Sequence, residues 1–315
     1  MRALHVPAAG EQPEVSDLPT PTVSEGTVLA RVKAAGLNPI DNAIAAGLMA
    51  QMMPHEYPLV LGRDCAGVVD AVGAGVDHVQ VGDEVLGHVL IAPPIQAGTL
   101  ADYALLPAAA VALKPAALDF TAAAALPLAG AAAAAAVEAI DPRPGQTVLV
   151  NGASGGVGSY TVQLLAARGV TVVATGTSQD SDRLRSLGAS EVIDHTASAV
   201  ADQVRATHPG GVDALINLTG YTAADVPLNA VRDGGTVSTT TGAPDDAAAS
   251  AAGLTSTFVT ARPVREVIAP LAEQAAAGTL KIDVTNVLPL EQAADGLATI
   301  AAGHAHGKIV VTIAD

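Results

Sequence analysis

The residues with the most specific chemical spacing lie in a glycine-rich turn, which has glycines at positions 152, 155, 156 and 158. The apolar run Thr147–Val150 before the turn predicts a strand buried on both faces, and apolar residues after it follow a helical period. In this context Gly155 lets the backbone approach a pyrophosphate, Gly158 lets the helix pack on the strand, and the helix N-terminus attracts negative charge. Because Ala153 replaces the first glycine of G-x-G-x-x-G, a tight turn without a ligand is the alternative.

The composition bounds the class of protein and its partners. The 315 residues, 50% of them hydrophobic, are enough for two domains with a buried core. The net charge of −16 argues against nucleic acid or an anionic membrane surface as partner, since both require a basic face. The single cysteine, Cys65, excludes an internal disulfide and a Cys-rich zinc site, and its apolar flanks favour a core residue over a nucleophile.

No targeting or membrane segment is predicted. The chain starts with the strand-like residues Arg2 to Val6 and lacks the apolar region of a signal peptide. The longest apolar tract, Thr121–Val137, is mostly alanine and is interrupted by Pro127 and Gly130, so it is too weakly hydrophobic to span a bilayer. We therefore expect a cytoplasmic location.

The elements that must position these residues change character near Asp119, a predicted helix N-cap. Before it, short apolar segments separated by Gly, Pro and Asp predict strands within Val28–Val32, Cys65–Val72, Glu84–Leu90 and Tyr103–Leu106. After it, strands and helices alternate. The predicted strands are Thr147–Val150, Val170–Thr175, Glu191–Ile193, Ala214–Leu218, Thr236–Thr239 and Thr257–Thr260. The predicted helices between them are Tyr160–Ala167, Ser181–Leu187, Val200–Thr207 and Ala224–Val231.

This alternation predicts an α/β fold with a doubly wound parallel sheet. The final residues predict helices near Val264–Ala277 and Leu290–Ala302 and a last strand, Lys308–Ile313. Because these pieces lack a sheet of their own, we expect the last strand to return to the N-terminal unit.

Several motifs, in order along the chain, resemble the zinc-independent quinone oxidoreductases (zeta-crystallin-like) of the medium-chain dehydrogenase/reductase superfamily. They are Ala34–Asp41, Pro58–Val69, Val81–Val85, Gly98–Ala104, Ala125–Gly130, Gly155–Gly158, Arg185–Ala189 and His306–Val310. The resemblance implies a GroES-like β-barrel domain in residues 1–120 and 263–315 and a nicotinamide-binding Rossmann domain in residues 121–262. It also implies a cleft between the two domains and a homodimer joined through the last Rossmann strand, near Thr257–Val259.

A metal site is not expected. A catalytic zinc needs about three Cys, His or carboxylate ligands and an open position. In the zinc-dependent relatives a Cys stands at the position of Asn38, and a His-Glu pair stands at the positions of Arg63 and Asp64. The four-Cys structural lobe is also absent from the sequence.

The residues after the second Rossmann strand select the nicotinamide cofactor. An NAD enzyme places an Asp or Glu there, about 20 residues past the glycines, to bind the ribose 2′-OH. Here the run Thr175–Ser178 has no carboxylate and Arg183 follows, a combination that suits a 2′-phosphate and favours NADP(H). Asp180 and Asp182 flank the same pocket, either as competitors for this role or as caps of the next helix.

The full set of expected cofactor-binding residues combines the glycine turn with the ends of the later strands. The resemblance adds His195 near the adenine and the residues after the fourth and fifth strands; for His195 and these loops, simple capping of strand ends is the alternative. The set is Ser154, Gly155, Gly156, Val157, Gly158, Thr175, Thr177, Ser178, Arg183, His195, Leu218, Thr219, Thr241 and Gly242.

The resemblance implies that Asn38 and Asp41 are residues of the catalytic cleft. Asn38 would contact the nicotinamide side of the site, and a turn-capping role is the alternative for Asp41. Two polar residues of many relatives are missing, because Asn42-Ala43-Ile44 lacks a Tyr and Gly130-Ala131-Ala132 lacks a Thr. Replacement proton donors are then sought among Asn42, His55, Tyr57 and His88. The group Met49, Met52 and Met53 is expected either over the cleft or in the core.

The leading functional hypothesis is an NADPH-dependent, metal-free reductase that transfers a hydride to a small quinone or α,β-unsaturated carbonyl. The lost Tyr and Thr leave two alternatives open. One is an NADPH-binding protein with little turnover, and the other is a non-redox reaction such as cyclisation in the same cleft.

Overall fold

The computed structural model describes residues 1–313, which form two compact units. One unit is discontinuous in sequence: it comprises Met1–Ala129 and the chain from Pro263 onward. The other unit is the continuous segment Gly130–Arg262. Each unit has hydrophobic clusters of its own.

The first 140 residues are mainly strands, with helices at three points. The elements are β1 (Arg2–Val6), β2 (Glu14–Asp17), β3 (Thr27–Gly36), α1 (Pro39–Ala45), β4 (Leu59–Val60), β5 (Asp64–Val72), β6 (Glu84–His88), β7 (Tyr103–Pro107), β8 (Val111–Leu113), α2 (Phe120–Ala124) and α3 (Pro127–Ile140). The carboxylate of Asp119 accepts a hydrogen bond of 2.7 Å from the N–H of Ala122, which confirms the predicted N-cap. The alanine tract that follows does not form one helix, because α2 ends at Ala124 and a separate helix, α3, begins at Pro127.

The continuous unit alternates strands and helices. Its elements are β9 (Thr147–Asn151), α4 (Gly156–Ala167), β10 (Thr171–Gly176), α5 (Ser181–Ser186), β11 (Glu191–Asp194), α6 (Val200–Thr207), β12 (Val212–Asn217), β13 (Val231–Thr239), α7 (Asp246–Ala251) and β14 (Thr255–Phe258). All of the strands are parallel, in the order β11-β10-β9-β12-β13-β14. This order confirms the doubly wound sheet.

Strand β9 is buried on both faces, as its sequence predicted. Val148 and Val150 pack in one hydrophobic cluster, whereas Leu149 between them packs in the cluster on the other face of the sheet. All three side chains are fully buried, which fixes the strand that leads into the glycine turn.

The chain then completes the discontinuous unit with α8 (Arg265–Ala276), β15 (Val284–Pro289), α9 (Ala293–Ala301) and β16 (Lys308–Thr312). Strand β16 pairs antiparallel with β3, so the expected return of the last strand to the N-terminal unit is confirmed. The main sheet there runs β15-β16-β3-β5-β6-β8, β7 pairs with β3, and a small second sheet runs β2-β1-β4.

The short elements β2, β4, β8 and α7 were not predicted, and three further differences from the sequence-based expectation have clear causes. The predicted helix Ala224–Val231 is wrong: Pro227 separates two single 3₁₀ turns, and Val231 already begins β13. Proline removes a backbone N–H and disfavours helix at the preceding residue. Helix α1 was not predicted because it has only seven residues, and β15 was missed because its mostly exposed side chains show no alternation.

Among residues 1–313, no helix is both long and apolar enough to cross a membrane.

Candidate functional site

The expected cofactor-binding residues gather at one edge of the parallel sheet. The glycine turn follows β9, Thr177 and Ser178 follow β10, and His195 follows β11. Leu218 and Thr219 follow β12, and Thr241 and Gly242 follow β13. Since carboxyl ends of parallel strands lie along a common edge, this is the edge where open α/β sheets bind ligands, at the point between β9 and β12 where the strand order reverses.

The glycine turn has the backbone geometry that an anion site requires. Gly155 is the N-cap of α4, and a Cβ built there would meet only the carbonyl oxygen of Gly152, at 3.6 Å. A Cβ on Gly158 would lie 2.3 Å from that same oxygen, so only glycine fits where the helix meets the turn. The first N–H groups of α4, including those of Gly156 and Val157, have no intrahelical acceptor and carry the positive end of the helix dipole. The turn therefore has the backbone geometry that a pyrophosphate site requires.

Thr175 supports the turn from inside the sheet. Its hydroxyl accepts a hydrogen bond of 2.9 Å from the N–H of Gly152, and the side chain is buried. Gly152 has a φ of +87°, which favours glycine, and a Cβ there would lie 3.2 Å from Thr219 Cγ2. Thr175 thus positions the turn, and the hydroxyls after it remain as candidates for contact with a ligand.

Asp180 and Arg183 form an ion pair beside the turn. The carboxylate of Asp180 accepts hydrogen bonds from the backbone N–H and the hydroxyl of Thr177, at 2.9 and 2.8 Å. Its other oxygen accepts from Arg183 Nη2 at 2.9 Å. The same Nη2 donates to the carbonyl of Ser154 at 2.9 Å, so Arg183 joins the glycine turn to the end of β10. Asp180 is buried and completes a capping box on the short 3₁₀ turn Ser178–Asp180, rather than capping α5 with its side chain as the alternative had it.

The exposed rim of this edge carries further polar groups. The N–H of Ser178 donates to Asp194, and bonds from Thr196 hold the pKa of Asp194 below its usual value. His195 Nδ1 donates to the carbonyl of Gly176 at 2.8 Å, which leaves Nε2 on the outer side of an exposed ring. A buried amide of Asn217 donates to Thr241 Oγ1 at 3.1 Å, so the loop after β13 is tied to β12.

In the discontinuous unit, Asn38 and Asp41 lie at the start of α1. The carboxylate of Asp41 accepts a 2.8 Å hydrogen bond from the N–H of Asn38, which is the capping role that the sequence left open. Asp41 is fully buried, and its second oxygen has no hydrogen-bond partner within residues 1–313. Burial raises the pKa of Asp41 to about 7, against the opposing influence of the nearby Arg63 cation.

Asp64 is the centre of a buried hydrogen-bond cluster beside Asn38. Its carboxylate accepts from Asn38 Nδ2 at 2.9 Å, from His88 Nδ1 at 2.7 Å and from the N–H of Leu128 at 3.1 and 3.2 Å. Lys308, on the last strand, donates to Asn38 Oδ1 at 2.7 Å, and its ammonium lies 4.0 Å from the Asp64 carboxylate. Asn38 is therefore held on both sides, by an anion at its amide nitrogen and by a cation at its oxygen.

Two cations lie near the two carboxyl groups of this cluster. Arg63 is 1% exposed and donates to the carbonyls of Val60 and Ala97. Burial lowers the pKa of both Arg63 and Lys308, while the carboxylates of Asp41 and Asp64 oppose that decrease. Buried charges at these positions are tolerated because each has an opposite charge close by.

The other candidates from the sequence lie in different surroundings. Asn42 donates to the carbonyl of Leu297, and His55 makes an edge contact with the Tyr57 ring. Cys65 is buried in the core, as expected, and burial raises the pKa of its thiol. Met49 and Met53 pack on the core of this unit, whereas Met52 is 75% exposed.

Across residues 1–313, no group of three or more His, Cys, Asp and Glu side chains is arranged to hold a metal ion. Asn38, Arg63 and Asp64 are joined to one another and to their neighbours through hydrogen bonds and opposite charges.

Comparison with known proteins assigns the family. Residues 24–116 match the alcohol dehydrogenase GroES-like domain, which confirms the expected N-terminal fold, and residues 187–311 match a family described as zinc-binding dehydrogenase. The chain is 32% identical over 303 residues to an NADPH-dependent alkenal/one oxidoreductase of Arabidopsis thaliana, covering 94% of this chain and 74% of that protein. It is 36% identical over 235 residues to a 2-methylene-furan-3-one reductase of Solanum lycopersicum, covering 72% of this chain and 58% of that one.

Solved structures agree over the whole chain. An NAD-dependent alcohol dehydrogenase has a TM-score of 0.88 at 32% identity, with full coverage of both chains. The quinone oxidoreductase of Coxiella burnetii has a TM-score of 0.88 at 25% identity and covers 99% and 98% of the two chains. A mycobacterial protein complexed with NADPH has a TM-score of 0.86 at 27% identity, covering 99% of each. The chain belongs to the medium-chain dehydrogenase/reductase superfamily, and the relatives that it is similar to include alkenal and quinone oxidoreductases.

Sequence reasoning did not assign site roles to Asp64 or Lys308. Both lie in motifs that carried the family resemblance, but each was read only as part of its motif. Their residue types could have indicated the cluster, because a carboxylate and an ammonium within otherwise apolar strands are expected to pair with opposite charges.

Proposed function

We propose that this protein is an NADPH-dependent reductase of small α,β-unsaturated carbonyl compounds or quinones. Support comes from the glycine turn at the carboxyl edge of the parallel sheet, from the buried Asn38 cluster, and from relatives whose names specify alkenal, enone and quinone reduction. Bound NADPH would supply a hydride, that is, two electrons and a hydrogen nucleus, to the acceptor. The protein must then bind the acceptor and provide a proton.

The proposed cofactor residues divide by the group that they would hold. The backbone from Ser154 to Gly158 would bind the pyrophosphate at the start of α4. Thr177, Ser178 and Arg183 would face the 2′-phosphate, and His195 the adenine end. Leu218, Thr219, Thr241 and Gly242 would line the nicotinamide half, and Asn38 is the proposed catalytic residue of the discontinuous unit.

The observation that carries the choice of NADPH is the ion pair of Asp180 and Arg183. The buried Asp180 already accepts two hydrogen bonds from Thr177 and one from Arg183, which favours a role in holding this loop over binding a ribose 2′-OH. Arg183 keeps a cation beside the hydroxyls of Thr177 and Ser178, where a 2′-phosphate needs one. Parallel titrations with NADPH and NADH measure this preference.

The test of cofactor binding is Gly155→Ala. The new methyl group would meet only the Gly152 oxygen at 3.6 Å, so the folded protein should tolerate it, whereas it would stand where the pyrophosphate must approach. We expect an unchanged melting temperature and a large loss of NADPH affinity in titration calorimetry. Gly210→Ala is the matched control, since a Cβ there has nothing within 4 Å and lies away from the turn. Equal NADPH affinity in wild type and Gly155→Ala would overturn the assigned site.

The acceptor is tested by following NADPH absorbance with short enones, benzoquinones and naphthoquinones, with NADH in parallel. We expect oxidation above the enzyme-free blank with small enones or small quinones. The sequence has no Trp and two Phe, so stacking of a large planar quinone has little support. Tight NADPH binding without turnover on any acceptor would favour a binding protein or a non-redox reaction instead.

We also propose a homodimer formed through β14, in the cytoplasm. β14 is an edge strand of the six-stranded sheet, and Phe258 at its end is 62% exposed. An unpaired strand edge with an exposed aromatic side chain favours pairing with a second copy. Light scattering after gel filtration should give twice the chain mass, and Phe258→Lys should reduce it to a monomer. A wild-type monomer would refute the proposal.

A further inference from the structure

His88 and Asp64 form a buried pair on adjacent strands. His88 is the last residue of β6 and lies directly opposite Asp64, the first residue of β5. His88 Nδ1 is 2.7 Å from Asp64 Oδ1, and both side chains are at least 98% buried. Opposite residues of an antiparallel pair project from the same face, so the backbone register itself sets this contact.

The pair fixes which nitrogen of the imidazole can exchange a proton. A carboxylate only accepts, so His88 Nδ1 must be the donor, and Nε2 is left to bind or release a proton. Within residues 1–313, Nε2 forms no hydrogen bond, and it is not fully enclosed by the protein. An imidazole oriented by a carboxylate, with its far nitrogen free, is a recurring acid–base arrangement.

The groups around the imidazole carry both signs of charge. Besides Asp64, they are the carboxyl group of Asp41 and the cations Arg63 and Lys308. Asp64 is in direct contact with the imidazole, so it would stabilise positive charge that develops on the ring during proton transfer.

The position of the pair links it to the proposed site. Asn38 Nδ2 and His88 Nδ1 donate to opposite oxygens of the same Asp64 carboxylate, at 2.9 and 2.7 Å. The two residues are therefore oriented by one anion. The other histidine and the tyrosine considered as proton donors, His55 and Tyr57, contact each other and make no contact with Asp64.

We propose that His88, oriented by Asp64, donates the proton that completes the reduction of an activated carbon–carbon double bond. The proposal rests on the proposed function. The β-carbon of the enone gains a C–H bond with the two electrons of the hydride, and the π electrons move to the carbonyl oxygen as an enolate. The N–H bond of His88 Nε2 then breaks as the α-carbon forms its C–H bond, which leaves neutral imidazole to be reprotonated by water. The saturated carbonyl product has gained one hydride and one proton.

A comparison of enone and quinone acceptors tests the proton-donor role of His88. An enolate is protonated slowly at its α-carbon, and from one face if the donor is fixed. A reduced quinone takes its protons on oxygen, which exchanges rapidly with water. Loss of His88 should therefore slow enone reduction far more than quinone reduction.

The experiment compares wild type, His88→Gln and His78→Gln with 2-methylcyclopent-2-enone and with a benzoquinone. Glutamine can still donate to Asp64 but has no transferable proton, and His78, which contacts the Val111 carbonyl, is the matched histidine control. We expect His88→Gln to lose roughly 100-fold in enone kcat/KM, a usual contribution of a positioned acid. The enantiomeric excess at the new α-centre should also fall, while the loss of quinone reduction should be at least ten times smaller than the loss of enone reduction; His78→Gln should match wild type in both.

A second variant covers the case in which glutamine disturbs the site. His88→Ala should recover enone reduction when imidazole is added to the buffer, and long-range ¹H–¹⁵N spectra of the wild type should show His88 protonated on Nδ1. Unchanged enone rate and enantiomeric excess in His88→Gln, or equal loss with enone and quinone, would overturn the proton-donor role. A wild type that reduces no acceptor would instead overturn the proposed function.

Discussion

Replacing Asp41 with Asn should make the stability of the protein less dependent on pH. Asp41 is fully buried, and only one of its oxygens has a hydrogen bond within residues 1–313, to the N–H of Asn38. Burial raises its pKa from 3.8 to about 7. An amide oxygen can accept the same bond from Asn38 and cannot ionise, so Asp41→Asn removes the titration while it keeps the cap.

The sign follows from proton linkage. The folded protein holds the Asp41 proton up to about pH 7, whereas the unfolded chain releases it near pH 3.8. This group therefore stabilises the fold fully below pH 3.8, and its contribution is lost as the pH rises towards 7. The difference between the two pKa values corresponds to about 4 kcal/mol in total, of which about 2.5 kcal/mol falls between pH 5 and pH 8.

The assay is urea unfolding of wild type and Asp41→Asn at pH 5 and pH 8. The free energy of unfolding of the variant, relative to wild type, should rise by about 2.5 kcal/mol from the lower to the higher pH. Asp225→Asn is the control: hydrogen bonds from Thr222 lower the pKa of this exposed carboxylate, so its effect changes only in more acidic solution. A difference between Asp41→Asn and wild type that is the same at both pH values would refute the reasoning.

Three further predictions use the same structure. Gly158→Ala would place a methyl group 2.3 Å from the Gly152 oxygen and should destabilise the protein by about 1–3 kcal/mol in urea unfolding, and an unchanged midpoint would contradict the close approach. Lys308→Met would leave Asn38 Oδ1 without its donor and Asp64 without the ammonium that lies 4.0 Å from it, and should cost roughly 3–5 kcal/mol in the same assay, with Lys281→Met as an exposed control. Arg183→Ala should weaken NADPH binding by roughly 10- to 100-fold, and NADH binding much less, in parallel calorimetric titrations; equal effects on both would exclude a 2′-phosphate contact.

The continuous unit was largely predictable from its sequence. Strands such as Thr147–Asn151 are short, apolar and β-branched, and the turns and helices between them have distinct compositions, so most boundaries fall within three residues of the expectation. The glycine turn and the residues after the second strand were identified from their own sequence, whereas the family resemblance supplied the candidates after the later strands; all of them lie at the carboxyl edge of the sheet. The helix expected at Ala224–Val231 does not form, because Pro227 interrupts the segment.

The buried cluster could not be predicted in the same way. Asp64 meets His88 through the register of β5 and β6, and it meets Lys308 through the pairing of the last strand with β3. Sequence identifies the residue types, but strand register between distant segments depends on the complete sheet. For the same reason, the choice between a cap and a cleft residue at Asp41 needed the three-dimensional structure.

The discontinuous unit has a consequence for how the protein is made. Gly130–Arg262 leaves the ribosome as one continuous segment, so its six strands can pair while synthesis continues. The unit that contains the first 129 residues cannot be completed until β16 is synthesised, because Asn38 bonds to Lys308, which lies 270 positions later in the sequence. Until then the nascent chain holds Asp64 without that cation and β3 without its neighbouring strand. We expect premature termination or proteolysis before residue 308 to leave the nucleotide-binding fold intact and the opposite half of the enzyme incomplete, a product for chaperones and proteases to remove.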